Sequence, residues 1–301
     1  MCAARNAART TEMSMSEHSP SAQLAVIGAG TMGHGIAQVA AASGLSVSLH
    51  DVSEHQLRQA TEQIRQQLDT GVSKGKLTQN DADAAYARVH TTTALATAVA
   101  GADLVIEAIP EDGDAKAQLF AQVAEHVSEN TILATNTSSL SVTGIAARAA
   151  HPERVIGMHF FNPPYAMKLL ELVRAEQTVD WVLERARSLG EQMGRQLVVV
   201  NDSAGFATSR LGVVLGLEAM RMVEQGVARA EDIDRAMQSG YKHPVGPLQL
   251  SDMVGLDVRL AIAEYLHTEL GGEQFRPPQI LRRMVRAGKL GKKSGRGFYA
   301  W

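Results

Sequence analysis

Apolar and polar positions along the chain switch between two periods. Residues 24–27 (Leu-Ala-Val-Ile) form an uninterrupted apolar run, as a strand covered on both faces requires, and residues 36–42 continue as a small-residue helix that Gly44 is placed to stop. A second strand over residues 45–51 ends in Asp51. Ser53 followed by Gln56 then reads as a capping box, and Leu57, Ala60, Ile64 and Leu68 recur on one face of a helix running to about Gly71. Lys74-Gly-Lys76 makes a basic tip, and Thr78 caps a second, shorter helix. A helical hairpin insertion over about residues 53–88 follows from this pattern. Strand-like runs return at residues 89–93, 104–109 and 131–134, with a helix between the last two whose Leu119, Val123 and Val127 face inward. This alternation predicts an α/β fold with a doubly wound, mostly parallel sheet.

The next segment departs from it. Residues 154–161 and 167–173 are two strands joined by the short connector Asn162-Pro-Pro-Tyr-Ala166. No parallel crossover fits so few residues, so antiparallel last strands are expected. Folding the hairpin about Pro164 sets His159 opposite Leu169, with Glu171 its diagonal neighbour on the same face. An imidazole and a carboxylate thus meet among apolar residues, and a buried carboxylate needs a partner. Such a pair also serves purely structural ends, and the hairpin alone does not separate the two readings.

Around residues 201–203 the period changes to helical. Residues 205–225 read as one long amphipathic helix with Leu211, Leu215, Met222 and Val223 largely inward, and shorter helices are expected at 231–239, 258–270 and 280–287. The division expected is a dinucleotide-binding domain over 22–202 and an all-helical domain over 203–301. The basic, glycine-rich tail Gly291-Lys-Lys293-Ser-Gly-Arg-Gly-Phe298 reads as a frayed end or as a flap over an anionic ligand. Residues 1–21 are polar, without periodicity, and are expected to be disordered. Arg5 and Arg9, with no acid before Glu12, resemble a transit peptide, but a non-native leader or a later start at Met13 or Met15 is the preferred reading.

Composition narrows the class. A length of 301 residues with 45% hydrophobic and 20% charged content suits a globular protein with two cores. A net charge of −3 and only 4% aromatic residues argue against nucleic-acid binding. No apolar run reaches membrane length, so no membrane span is expected. The lone Cys2 makes no internal disulfide, which points to a reducing, cytoplasmic setting.

Chemistry enters at the first strand–helix junction. In Gly28-Ala-Gly30-Thr31-Met32-Gly33, Gly28 permits the tight turn, Gly30 lets backbone approach a pyrophosphate, and Gly33 permits close helix–strand packing. The helix N-terminus then faces the phosphates. Asp51, 18 residues after Gly33, stands near the position of the acid that bonds an adenosine ribose, which selects NAD over NADP. With a nicotinamide cofactor at hand, the His159–Glu171 pair reads as general acid/base and orienting carboxylate.

Beyond these readings, the chain resembles the L-3-hydroxyacyl-CoA dehydrogenase family, nearest its bacterial 3-hydroxybutyryl-CoA dehydrogenase branch. The motifs that carry the resemblance are VIGAGTMGHGIA, Asn136-Thr-Ser138-Ser, His159-Phe-Phe-Asn162-Pro, His243-Pro-Val-Gly-Pro247 and the glycine-rich tail. It implies that Ser138 bonds the substrate, that Glu111, Lys116, Asn162 and Lys293 line the nicotinamide cofactor, and that Lys74 contacts coenzyme A. It also implies a homodimer formed through the helical domain and an acyl-CoA substrate. One position departs from the pattern: Ser209 stands where the family usually has asparagine, and it reads either as still reaching the substrate site, through a water, or as a helix residue bonding back to its own backbone, the first being preferred. Two other functions fit the same fold, a dehydrogenase of a free hydroxy acid or sugar acid, and a non-catalytic protein of the crystallin kind. The intact His159 and Glu171 weigh against the latter.

Overall fold

The structure is a computed structural model and describes residues 22–301, so the leader expected over residues 1–21 lies outside the described residues. One sheet carries β1 (Gln23–Ile27), β2 (Ser46–His50), β3 (Val89–Thr92), β4 (Leu104–Glu107), β5 (Ile132–Thr135), β6 (Val155–Phe160), β7 (Leu169–Arg174) and β8 (Gln196–Asn201). Its order is β3-β2-β1-β4-β5-β6-β7-β8, and every neighbouring pair is parallel except β6 with β7. The mostly parallel sheet with antiparallel last strands is therefore as expected. Because the chain leaves β1 in one direction and later returns on its other side at β4, a crevice opens at the carboxyl ends of these strands.

Alternate residues of β1 feed two cores. Leu24 and Val26 join the cluster on one face, under α1 (Thr31–Ala42), α2 (Glu54–Ser73) and α3 (Gln79–Ala87). Ala25 and Ile27 join the other, under α4 (Leu95–Val99), α5 (Gly113–Ala124) and α6 (Val142–Ala146). The hairpin of α2 and α3 is built as expected. Thr78 and Asp81 close a full capping box, whereas Ser53 caps α2 alone, because the Gln56 side-chain Nε2 donates to the Ala29 carbonyl in the glycine turn and not back to Ser53. The helix α7 (Asp180–Gln192), between β7 and β8, was not among the expected elements. After the sheet come α8 (Thr208–Glu224), α9 (Ala230–Tyr241), α10 (Pro247–Val254), α11 (Leu256–Leu270) and α12 (Gln279–Arg286), packed round a third core that includes Leu217, Met220, Leu248 and Phe275.

Three expectations are corrected. In the hairpin, β6 and β7 pair His159 directly with Glu171, not with Leu169. The connector is longer than a tight turn, with the amides of Ala166 and Met167 donating to the Pro163 carbonyl. The fold axis thus passes through Tyr165, one residue later than Pro164, and each partner moves by two. In α8 the buried face is Val213, Gly216, Leu217 and Met220, while Leu211 and Leu215 are 65% and 42% exposed. Apolar residues lie all round this helix, so its period does not select a face. The tail is not a frayed end. The Asp252 carboxylate accepts from the amides of Phe298 and Tyr299 and from the Trp301 indole, which pins the last residues against α10.

Candidate active site

The glycine turn forms because its sequence allows nothing bulkier. Gly28 has φ +101°, and a Cβ on Gly33 would lie 1.7 Å from the Gly28 carbonyl oxygen. At Gly30 a Cβ would meet nothing within 4 Å, so the turn is open to an approaching ligand. Gly30 also leaves α1 without a side-chain cap, and the free N–H groups and the positive end of the helix suit a pyrophosphate. Asp51 accepts from the amides of Ala29 (2.9 Å) and Ser53 (3.0 Å), which fixes its carboxylate beside that turn with lone pairs left for ribose hydroxyls. These residues fit a dinucleotide.

Further along the carboxyl edge lies a cavity of about 590 Å³. His159 and Ser138 both line it, as do Asn162, Met32, Glu111 and Ser209. His159 sits near the end of β6, and its Nδ1 is 2.8 Å from Oε2 of Glu171. Glu171 is fully buried and accepts three further bonds where α8 begins: from the Thr208 amide (3.0 Å), the Ala207 amide (3.3 Å) and the Thr208 hydroxyl (2.8 Å). Burial pushes this carboxyl up, but the bonds from His159 and Thr208 outweigh it and hold it below the ordinary carboxylate range. Phe161 and Phe206 flank the imidazole at 4.4 and 5.9 Å between ring centroids. Phe206 has φ +51°, a left-handed conformation uncommon outside glycine, so the entry to α8 is bent where it meets His159. With Nδ1 committed to Glu171, Nε2 is the nitrogen left to face the cavity.

A second polar chain supports Ser138. Lys116 is buried and donates to Glu107 (2.5 Å) and to the Ile109 carbonyl (3.2 Å), and its Nζ lies 3.4 Å from Glu111. Burial raises the Glu107 carboxyl, opposed by Lys116 and by bonds from Lys116 and Thr135. Glu111 in turn accepts from the Thr137 hydroxyl (2.6 Å) and from the amide and hydroxyl of Ser138 (2.9 and 3.3 Å). Ser209 donates to the Ser138 carbonyl at 3.0 Å. It therefore joins α8 to the β5 loop instead of bonding back to its own helix.

Not every candidate is brought to this cavity. Lys74 lies in another, of about 640 Å³, together with Lys76 and Arg195, and the connector between β6 and β7 separates the two. Tyr165 and Ala166 line one side of that connector, Asn162 and Met167 the other. Lys293, in the tail, donates to Asp257 at 2.6 Å. Thr208, Phe206, Thr137 and Glu107 were missed, since each acts through a neighbour that only the folded chain supplies. Among the described residues no cluster of His, Cys, Asp and Glu suited to a metal occurs, and no helix is long and apolar enough to cross a membrane.

Family models match the chain in two parts: the NAD binding domain of 3-hydroxyacyl-CoA dehydrogenase over residues 23–203 and the C-terminal domain of the same family over residues 205–301. The chain belongs to the 3-hydroxyacyl-CoA dehydrogenase family. A relative in Bacillus subtilis named probable 3-hydroxybutyryl-CoA dehydrogenase is 44% identical over 277 residues, 92% of this chain and 96% of its own. The 3-hydroxyadipyl-CoA dehydrogenase of Escherichia coli is 43% identical over 92% of this chain, and the match spans 58% of that longer protein. Among solved structures, the (S)-3-hydroxybutyryl-CoA dehydrogenase of Ralstonia eutropha superposes with a TM-score of 0.89 at 41% identity, covering 93% of this chain and 98% of that one. In this 3-hydroxyacyl-CoA dehydrogenase, the crevice of the NAD-binding sheet and the first turn of α8 meet at His159 and Glu171.

Proposed function

We propose that the protein is an NAD-dependent (S)-3-hydroxyacyl-CoA dehydrogenase of short chains, interconverting 3-hydroxybutyryl-CoA and acetoacetyl-CoA. The observation that carries this reading is the 2.8 Å pairing of His159 Nδ1 with a buried, four-fold bonded Glu171, which leaves the other ring nitrogen to a cavity bordered by Ser138. Nicotinamide, when bound, supplies the hydride acceptor or donor. His159 Nε2 removes the proton from the C3 hydroxyl as the hydride departs, and returns it in the reverse direction. Glu171 fixes the tautomer and favours the imidazolium that forms. The Ser138 hydroxyl, held to Glu111 only at 3.3 Å, exchanges that bond for one to the substrate oxygen.

Gly28, Gly30, Thr31, Met32, Gly33 and Asp51 would hold the dinucleotide, with Glu111, Lys116, Asn162 and Lys293 about its nicotinamide end. Lys74, in the basic cavity beside the hairpin, would take phosphates of coenzyme A. The reading includes a boundary between two domains near residue 203, a cytoplasmic location, and a homodimer formed through the exposed Leu211, Leu215 and Met253.

Its test is NADH oxidation followed by absorbance, with acetoacetyl-CoA against free acetoacetate. Turnover is expected with the thioester and not with the free acid. No oxidation with acetoacetyl-CoA sinks the proposal, and equal rates with both would favour a free hydroxy acid as substrate.

A further inference from the structure

Arg259 is a buried guanidinium whose side chain makes no hydrogen bond or ion pair among the described residues. It lies on the inward face of α11, 5% exposed, where its helix neighbours Leu256, Ala263 and Leu266 are core residues. Its Nε has no hydrogen-bond partner, and burial alone moves the group, down to about 10, which leaves it cationic at neutral pH. An unpaired cation in such a place is costly, so an anion is to be sought.

The nearby acids face elsewhere. Asp252 holds the tail, and Asp257 gives Oδ2 to Lys293 at 2.6 Å; its Oδ1 has no hydrogen bond, but it stands two residues away on the same helix, where side chains do not face each other. Opposite the guanidinium, α8 presents Gly212 and Gly216. A Cβ at Gly212 would lie 3.7 Å from Nη1, and one at Gly216 3.7 Å from Nε.

Arg259 and Gly212 both line the cavity that contains His159. Gly212 is three residues beyond Ser209, and Gly216 seven, so the guanidinium sits roughly 5–10 Å along α8 from the reacting end, at a rise of 1.5 Å per residue. Leu250, Val254, Val258 and Ile262 supply apolar wall on this side. The arrangement is a mostly apolar stretch of cavity wall with one positive charge set into it. Neither set of nucleotide phosphates reaches it on the reading above, since one belongs at the Gly30 turn and the other at Lys74. What points here is the acyl chain.

We infer that Arg259 receives the terminal carboxylate of the acyl chain, so that the site takes 3-hydroxyacyl thioesters of dicarboxylic acids about six carbons long. This rests on the acyl-CoA reading proposed above. A guanidinium binds a carboxylate through two parallel bonds, and a four-carbon chain ending in methyl stops short of it.

The test compares two chain-matched substrates, 3-oxoadipyl-CoA and 3-oxohexanoyl-CoA, by NADH oxidation, and the unreactive pair adipyl-CoA and hexanoyl-CoA by calorimetry. The parent protein should favour the carboxylate by about 10-fold to 10²-fold in kcat/KM and in affinity, the range of a charge-assisted bond. Arg259→Met should bring both ratios to one or below, and Arg259→Lys should restore part of them. A parent that prefers the methyl-ended chain overturns the inference, whether or not the variants fold. So does an unchanged ratio in Arg259→Met, which would assign the charge to structure or to a carboxylate of a second copy. If calorimetry shows the carboxylate preference but no thioester is turned over, the dehydrogenase reading fails and this one stands.

Discussion

Glu171 and Arg259 are both buried beside one cleft, on opposite walls. The glutamate, on β7, accepts bonds from His159, Ala207 and Thr208 and is held below its ordinary range despite burial. The arginine, on α11, has an orphaned Nε and is moved by burial alone. The sheet side therefore arrives at the reaction already organised, with its charge satisfied before any ligand binds. The helical side holds a charge whose partner has to be brought in. Groups that act on every substrate are prepaired, and a group that selects among substrates is left open.

The largest effect expected on the prepaired side is chemical. His159→Ala should lower kcat by roughly 10²-fold to 10⁴-fold while NADH affinity, measured by fluorescence titration, stays near the parent's. A loss of NADH binding of similar size would mean that the imidazole holds the cofactor and not the proton. Next comes Glu171→Gln, which should lower kcat less and displace the pH profile, since a neutral amide no longer favours the imidazolium. It should also change acid stability. A carboxyl held low in the folded state contributes stability fully above its unfolded pKa of about 4.3, and that contribution is lost as pH falls through the lower native value. The Tm gap between parent and Gln variant should therefore close on acidification, and a gap constant from pH 7 to pH 3 would contradict the pairing.

The opposite sign is expected across the cleft. Removing an unpaired buried cation with Arg259→Met should raise the Tm of the ligand-free protein, by the equivalent of about 1–4 kcal/mol seen when buried charges give way to apolar residues of similar volume. A drop in Tm would show that Arg259 already has its anion. Discrimination by Asp51 should be of similar or smaller size: kcat/KM for NAD should exceed that for NADP at least about tenfold, through repulsion of the 2′-phosphate. Equal values would take Asp51 off the ribose. Smallest is Ser209→Ala, which removes the one bond from α8 to the Ser138 carbonyl and should cost about 0.5–1.5 kcal/mol in kcat/KM, with Ser209→Asn still active. An alanine variant as fast as the parent would leave that bond without influence on the site.

Legibility in the sequence followed the range of the interactions. The glycine turn, the α2–α3 hairpin and the parallel sheet were legible because turn chemistry and period are local. The meeting of His159 with Glu171 was legible, but its register was not, because an eight-residue connector hides where the hairpin folds. The helix α7 left a signal in Val182, Leu183, Ala186 and Leu189, which lie on one face and are buried. The inward face of α8 left an ambiguous signal, since Val213, Leu217 and Met220 mark it while Leu211 and Leu215 mark the other side, and the glycines at 212 and 216 that make room for Arg259 carry no hydrophobic weight. Arg259 itself reads in the sequence as one more charge on a helix. Only the folded neighbourhood shows that it lacks a partner.

The Asp252 clamp sets an order of events during synthesis. Asp252 lies at the heart of α10, the helix that also supplies Leu250 and Val254 to the cavity, and its fully buried carboxylate is satisfied by residues 298–301. Buried acceptors left unpaired are costly, so α10 should not settle while those residues are still within the ribosome. Nascent chains stalled with residue 297 in the exit tunnel should stay open to proteases at α10, and a protected α10 there would refute the order. The glycine turn, by contrast, finds its partners Asp51, Ala108 and Ile109 long before residue 298 emerges. The cofactor half can thus take its form early, and the α10 wall of the cavity follows only after residues 298–301 have emerged.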